Sequence, residues 1–292
     1  MTFLNYLING LQAGSIYALI ALGYTMVYGI VKLINFAHGD IMMVGAYVAL
    51  FSLDRFGLPL WATVLVTMAF CALLGVIIER FAYKPLRKSP RISALITAIG
   101  VSLLLQNVVM LLFTQNPRRF PSVLENAPFL QIGELKVSSI TIGSILIAVF
   151  LMIALYWFIN KTRMGKAMRA VSEDNGAAQL MGININTTIS VTFAIGSALA
   201  AFAAILYSIA YPQVQPFMGA LPGLKAFIAA VLGGIGVIPG AMFGGMLLGI
   251  AESMTKGFIS SKLSDAVVFG ILILVLLFKP SGLLGRLIRE KV

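Results

Sequence analysis

The residues that could carry chemistry in this chain are few and widely separated. The sequence contains one histidine, His38, and one cysteine, Cys71. A multi-histidine metal site, a thiolate zinc site and an internal disulfide are therefore excluded. No paired carboxylates, nucleophilic triad or G-x-x-x-x-G-K-[ST] phosphate loop is visible. The sequence predicts no catalytic residue, no metal site and no cofactor bound by this chain.

The remaining candidates are polar residues that interrupt long apolar runs. Such residues are costly in lipid and usually face a cavity or a partner. Asn35, His38 and Asp40 lie where one apolar run begins, at its cytoplasmic interface. Capping of a helix start by Asp40 or Asn35 is the favoured reading, and lining of the inner mouth of a passage is the alternative. Glu252 follows a glycine-rich region and is a further candidate for the passage.

The elements that must position these residues are membrane helices. The chain is 60% hydrophobic and 11% charged, whereas soluble domains are about 25% charged. Its net charge of +11 lies in short clusters between apolar runs, which is typical of cytoplasmic loops rather than of a nucleic-acid surface. We therefore predict an all-α, polytopic membrane helix bundle, forming a single domain over 1–292, with the lipid bilayer as its surroundings and no nucleic-acid partner.

Apolar runs of about 20 residues predict eight or nine membrane segments. The runs are 5–30, 36–53, 60–82, 92–114, 140–160, 188–211, 225–256 and 264–279. The sequence GGIGVIPGA at 233–241 interrupts one run and predicts two short helices with a break inside the bundle. Gly233, Gly234 and Gly236 are therefore candidates for the passage, with a simple cytoplasmic loop as the alternative.

The distribution of lysine and arginine predicts the orientation. Most basic residues lie in 80–91, in 161–169 and after residue 278. The positive-inside rule places these segments, and hence the C-terminus, in the cytoplasm. The polar segment 115–139 is then outside. The C-terminal tail returns to the cytoplasm only if the region 225–256 crosses the membrane twice.

The segment 161–187 contains a short predicted helix with both ends marked. Ser172 is a suitable N-cap, acidic residues follow in the first turn, and Gly182 fits the left-handed position after the last turn. A free helix of this length is marginal in water, so docking into a groove on another protein is predicted. Packing against the membrane or under the bundle is the alternative. The candidate contact residues are Arg169, Ser172, Glu173, Asp174, Ala177, Ala178, Leu180 and Gly182.

Four long motifs carry a resemblance to a known family. They are GSIYALIALGYTMVYGIVKLINFAHGD at 14–40, ERFAYKPLR at 79–87, GKAMRAVSEDNGAAQLMGIN at 165–184 and LKAFIAAVLGGIGVIPGAMFGGMLLGIAE at 224–252. In order and spacing the chain resembles the LivH-type permease subunits of ATP-binding-cassette (ABC) importers for branched-chain amino acids. The segment 161–187 is similar to the cytoplasmic coupling loop of that family.

The resemblance implies a transport subunit of the bacterial inner membrane rather than an enzyme. It implies a heterodimer with a second related permease, two cytoplasmic ATPase subunits that hold ATP and Mg, and an extracytoplasmic substrate-binding protein. Leucine, isoleucine and valine are the implied substrates, with short amides or urea as the nearby alternative. An ion-coupled secondary transporter is the alternative from another class. Because the binding protein would supply most of the recognition, a mildly polar tunnel would suffice in this chain.

Overall fold

The computed structural model describes residues 2–87, 89–122, 128–132 and 135–285. Helices dominate, as the apolar runs predicted. They are α1 Thr2–Val31, α2 His38–Asp54, α3 Leu60–Ile78, α4 Arg91–Phe113, α5 Ser139–Lys161, α6 Arg163–Glu173, α7 Asn175–Leu180, α8 Ile185–Ala210, α9 Ala220–Gly233, α10 Ile238–Phe258 and α11 Ser264–Phe278. A π-helical turn, Glu79–Tyr83, continues α3, and a 3-10 turn, Ser261–Leu263, precedes α11.

The prediction of an all-α fold needs one correction. The segment between α4 and α5 contains short strands: β1 is Arg118–Arg119, β2 is Pro128–Ile132 and β3 is Leu135–Ser138. β2 and β3 form an antiparallel hairpin, and β1 pairs with β4, Gln213–Val214, after α8. This pairing supplies hydrogen-bond partners for the backbone of these short strands.

Six helical segments of the described chain are long and apolar enough to cross a membrane. They are Phe3–Val31, Leu60–Tyr83, Ile92–Phe113, Ser139–Lys161, Ile185–Ala210 and Ser261–Phe278. Large apolar side chains on the outer helices are exposed, among them Trp61, Leu111, Phe150 and Leu277. Such a surface fits hydrocarbon and not water. The helices α2, α9 and α10 are not among the six.

The centre of the bundle is formed by α1, α8 and α10. α1 and α10 run antiparallel with their backbones in contact: a Cβ on Gly14 would lie 2.9 Å from Cα of Met246. Close contacts at Gly10 with Ile250, and at Gly29 with Gly236, extend this pairing from one end of α1 to the other. Small residues in facing rows allow this approach, as in other membrane helix pairs.

One end of the bundle gathers the basic segments of the chain, and we call it the basic end. Lys32, Arg87 and Asn175 line a common cleft there, and Arg169 lies beside Gly236 at the same end. The predicted grouping of 80–91 with 161–169 is therefore present in the fold. The last basic residues of the tail, in 286–292, lie outside the described residues, and with them the predicted position of the C-terminus.

Two helices begin inside the bundle rather than at its ends. After α1 the chain turns back at Lys32, and the irregular segment 33–37 returns to the level of Gly23, where the ring of His38 packs. Gly23 is about 12 Å of helix from Val31. The start of α9 reaches the same depth, because Gly219 contacts Gly39. The N-termini of α2 and α9 therefore meet in the interior.

Candidate coupling surface and interior cavity

The segment 161–187 folds as two helices rather than one. α6 continues through Ser172 and Glu173, and the Ser172 hydroxyl donates to the carbonyl oxygen of Arg169 at 2.7 Å. The N-cap of α7 is Asp174, whose carboxylate accepts from the backbone N–H groups of Gly176 at 2.7 Å and Ala177 at 3.0 Å. The prediction of a helix capped by Ser172 is wrong, because Ser172 lies inside α6. Asp174 has the extended backbone that an N-cap residue requires.

The end of α7 agrees with the sequence. Gly182 has φ +80°, the left-handed conformation predicted for it. Leu180 and Met181 just before it are 90% and 82% exposed. Ala177 is exposed too, whereas Ala178 is only 4% exposed and packs against the rest of the chain. The exposed apolar surface of Leu180 and Met181 is therefore the feature that another protein could cover, and Ala178 belongs to the interior.

A cleft of about 1020 Å³ adjoins this surface at the basic end. Its walls come from the end of α1, the segment after the π-helical turn, and the residues that link α7 to α8. Arg87 is fixed there by an ion pair with the buried Glu79 and by a hydrogen bond of 2.7 Å to Asn186. Ser190 donates to the other oxygen of Glu79 at 2.6 Å. Arg87 is therefore fixed on one wall of a cleft that Asn175 and Gln179 of α7 also line.

Asn35, His38 and Asp40 are buried inside the bundle. The N-cap of α2 is Ala37, which makes no side-chain cap. The Asn35 side chain accepts from the Tyr83 hydroxyl at 2.9 Å, and His38 stacks edge-on against Tyr24. The favoured capping interpretation is therefore wrong. The side chains are buried because 33–37 folds back into the bundle.

A cavity of about 280 Å³ lies where α2, α4 and α9 meet. Residues that line it include Tyr24, Phe36, Asp40, Ser102, Gln106 and Leu224. The Gln106 side chain donates to Asp40 Oδ1 at 2.9 Å. Of the predicted candidates the cavity contains Asp40 alone. Ser102 and Gln106 were missed, although two polar residues four apart lie on the same face of a membrane helix, which was a usable signal.

The glycine-rich break is confirmed, and it lies at the basic end. Gly234 ends α9 with φ +106°, and Gly236 follows with φ +91° beside Gly29. The backbone of the tail covers this end of α9: Leu283 N–H donates to Leu232 O at 2.8 Å, and the next N–H to Gly233 O. Gly233, Gly234 and Gly236 do not line the cavity beside Asp40; Gly233 and Gly234 are buried, and Gly236 is exposed.

Gly234→Ala should destabilise the protein. The added Cβ would meet Gly285 N at 2.6 Å in a backbone conformation that L-residues rarely adopt, which costs about 1–3 kcal/mol. The measurement is the thermal unfolding of the purified protein in detergent. The matched control is Gly270→Ala in α11, where a Cβ meets nothing within 4 Å. Equal stability of the two variants would contradict the tight turn.

Glu252 belongs to a buried charged cluster near the opposite end of α10. One of its oxygens accepts from the Tyr17 hydroxyl at 2.8 Å, and the other from Lys225 at 2.8 Å and Lys256 at 2.5 Å. Lys225 also pairs with Asp265 at 2.7 Å. The cluster joins α1, α9, α10 and α11. Glu252 does not line the interior cavity, and its oxygens are occupied by these partners.

Apolar helices around the outside and a cavity between two helix starts are typical of a polytopic membrane protein. The sequence profile of the family described as branched-chain amino acid transport system / permease component matches residues 6–276. The chain belongs to this family.

Several relatives align with nearly the whole chain. The chain is 46% identical to the high-affinity branched-chain amino acid transport system permease protein BraD of Pseudomonas aeruginosa, over 99% of this chain and 98% of that protein. It is also 46% identical to the permease protein LivH of Escherichia coli K12, with the same coverage. A probable LivH of Methanocaldococcus jannaschii is 31% identical over 91% of this chain and 88% of its own length.

The fold is similar to a solved structure of distant sequence. PsaBC from Streptococcus pneumoniae, in complex with Fab, superimposes with a TM-score of 0.51 at 12% identity. The match covers 94% of this chain and 92% of that chain. At this identity the likeness concerns the fold alone.

Proposed function

We propose that this chain is the membrane-spanning permease subunit of an ATP-binding-cassette importer for leucine, isoleucine and valine. The observation that carries the proposal is the 46% identity, over nearly the full length of both chains, to permeases named for branched-chain amino acid transport. Movement of separate ATPase subunits would be converted by this chain into alternating access. ATP and Mg would be bound by those subunits and not by this one.

The exposed surface of α7 supports the proposed coupling. Leu180 and Met181 have exposed apolar side chains beside the cleft at the basic end. An ATPase subunit that covers these side chains would gain apolar burial, and α6 and α7 would transmit its movement to the bundle. The remaining partners that we propose are a second related permease, forming a heterodimer, and an extracytoplasmic substrate-binding protein.

The test is transport by the reconstituted assembly. The permease pair, the ATPase subunits and the binding protein are placed in proteoliposomes, and uptake of labelled leucine is measured with and without ATP. We expect uptake that needs ATP and the binding protein and is unaffected by collapse of ion gradients. Uptake that follows an ion gradient without ATPase would indicate a secondary transporter. Competition by urea or short amides, but not by valine, would indicate the other substrate class.

We further propose nine crossings, with the N-terminus outside and the basic end in the cytoplasm. Six crossings correspond to the six long apolar helices, and α10 supplies one more. The other two are formed by α2 and α9, each together with the irregular segment that precedes it. The grouping of basic segments at one end supports the orientation under the positive-inside rule.

Labelling of single cysteines tests this topology. In a Cys71→Ser background, Lys84→Cys and Lys166→Cys should react with an impermeant thiol reagent only from the cytoplasmic side. Arg119→Cys, in β1 at the opposite end, should react only from outside. The readout is labelling in intact cells compared with inverted vesicles, and reaction of Lys84→Cys in intact cells would reverse the orientation.

A further inference from the structure

Within the described chain, the polar side chains that line the large cleft at the basic end include no carboxylate. They are Lys32, Arg87 and Ser89, together with four side-chain amides of the segment 175–186. The charge of Arg87 is matched by the buried Glu79. Lys32 is exposed and forms no ion pair with any residue that the structure describes. The cleft, of about 1020 Å³, therefore has one positive charge that the described chain leaves unmatched.

Two of the amides in the cleft present hydrogen-bond donors. The side-chain oxygen of Asn184 accepts from the backbone N–H of Thr187 at 3.1 Å, at the start of α8. The side-chain oxygen of Asn186 accepts from Arg87 at 2.7 Å. Both oxygens are engaged within the chain, so the NH₂ groups of these amides remain as donors. Together with the ammonium of Lys32, they match the oxygens of a carboxylate.

α7 places the cleft next to the proposed contact with the ATPase subunit. Gln179 and Gly182 both line the cleft. The two residues between them, Leu180 and Met181, are 90% and 82% exposed. A protein that covers this apolar pair would therefore also reach the mouth of the cleft, and the two surfaces are continuous.

The backbone at Lys32 points to a function for its side chain. α1 is followed there by a residue with φ +58°, a conformation that residues other than glycine rarely adopt. Glycine would meet this requirement without strain, and strained residues cluster at functional sites. The ammonium makes no ion pair with the described residues, so the described chain gives no electrostatic reason for a lysine at this position.

We propose that the cleft receives an acidic segment of the same ATPase subunit that covers Leu180 and Met181. A carboxylate of that segment pairs with Lys32, and the NH₂ groups of Asn184 and Asn186 donate to the acidic segment. The inference rests on the proposed function. It adds to the apolar contact of α7 a charged contact that fixes the orientation of the ATPase subunit.

Charge reversal at Lys32 tests the proposal in lipid-free detergent. Lys32→Glu should lower the affinity of the ATPase subunit for the purified permease pair about 10-fold, because it sets one carboxylate against another. Lys32→Gly, which suits the backbone, should cause a smaller loss, and Lys32→Arg should bind as the parent does. Lys161→Glu is the matched control, since it makes the same change in charge at an exposed position outside the cleft. Equal affinities of Lys32→Glu and Lys161→Glu would overturn the assignment.

A zero-length cross-link in the assembled importer identifies the occupant. A water-soluble carbodiimide joins an ammonium to a carboxylate only where the two are in contact, so it should link Lys32 to an acidic residue of the ATPase subunit. Mass spectrometry should find this peptide pair in the parent and not in Lys32→Arg, which keeps the charge but lacks the amine. Absence of the pair from the parent would overturn the proposal, as would an effect of Lys32→Glu that needs anionic lipid. A parent permease pair that binds no ATPase subunit would instead count against the proposed function.

Discussion

Leu180→Arg is expected to abolish coupled uptake while leaving the permease folded. Leu180 is 90% exposed, so within this chain the substitution removes little packing. In the assembled importer the same side chain would lie in an apolar contact, where a charge is costly. Loss of a central contact of this kind costs about 2 kcal/mol or more, roughly 30-fold in affinity. The measurement is the affinity of the ATPase subunit for the purified permease pair, together with leucine uptake.

The matched control for this experiment is Leu284→Arg. Leu284 is 47% exposed at the basic end, and its hydrogen bond to α9 uses its backbone N–H. Its substitution should leave affinity and uptake near those of the parent. Parental affinity in Leu180→Arg would show that the ATPase docks elsewhere. Ala178→Arg is a poorer probe, because Ala178 is buried and its replacement would also disturb α7 itself.

Much of the fold could be predicted from apolar length and breaking residues. The long runs gave the outer helices, and the glycines and proline at 233–241 gave the break between α9 and α10. Gly182 was placed correctly because a positive φ after a helix is a local requirement that glycine meets without strain. Each of these features is determined by residues close to it in the chain, so it can be recognised in a single sequence.

The boundary between α6 and α7 depends on contacts that the local sequence does not contain. Ser172 and Asp174 are both good caps, and propensity does not choose between them. The choice is made by Met168 and Val171, which are buried under the bundle and extend α6 through residue 173. Two cap residues this close together therefore indicate a helix boundary only to within a few positions.

The depth of Asp40 could not be predicted by counting residues from the end of a span. Hydropathy treats 33–37 as a short loop, whereas the chain folds back and is covered by neighbouring helices. Irregular backbone inside a membrane is permitted when protein surrounds it, and hydropathy does not record that surrounding. The cavity is lined by α1, α2, α4 and α9 together with Phe36, so its residues come together only in the fold.

Glu252→Ala is expected to cause the largest loss of stability among the substitutions considered. The carboxylate is 2% exposed and holds Tyr17, Lys225 and Lys256 by hydrogen bonds of 2.8, 2.8 and 2.5 Å. Its removal would leave Lys225, itself buried, with the half-exposed Asp265 as its remaining partner. Removing one member of a buried ion pair costs about 3–5 kcal/mol, because the other charge stays desolvated. The measurement is the free energy of unfolding of the purified permease in detergent micelles.

Two further variants separate this effect from a general loss of packing. Asp265→Asn removes an exposed member of the same cluster and should cost about 0–1 kcal/mol, as surface ion pairs do. Lys225→Met combined with Glu252→Gln removes both buried charges, and should be more stable than Glu252→Ala because no desolvated charge is left without a partner. If the double variant is instead less stable than Glu252→Ala, the pair itself supplies net stabilisation and α9, α10 and α11 are held together by charge rather than by apolar contact.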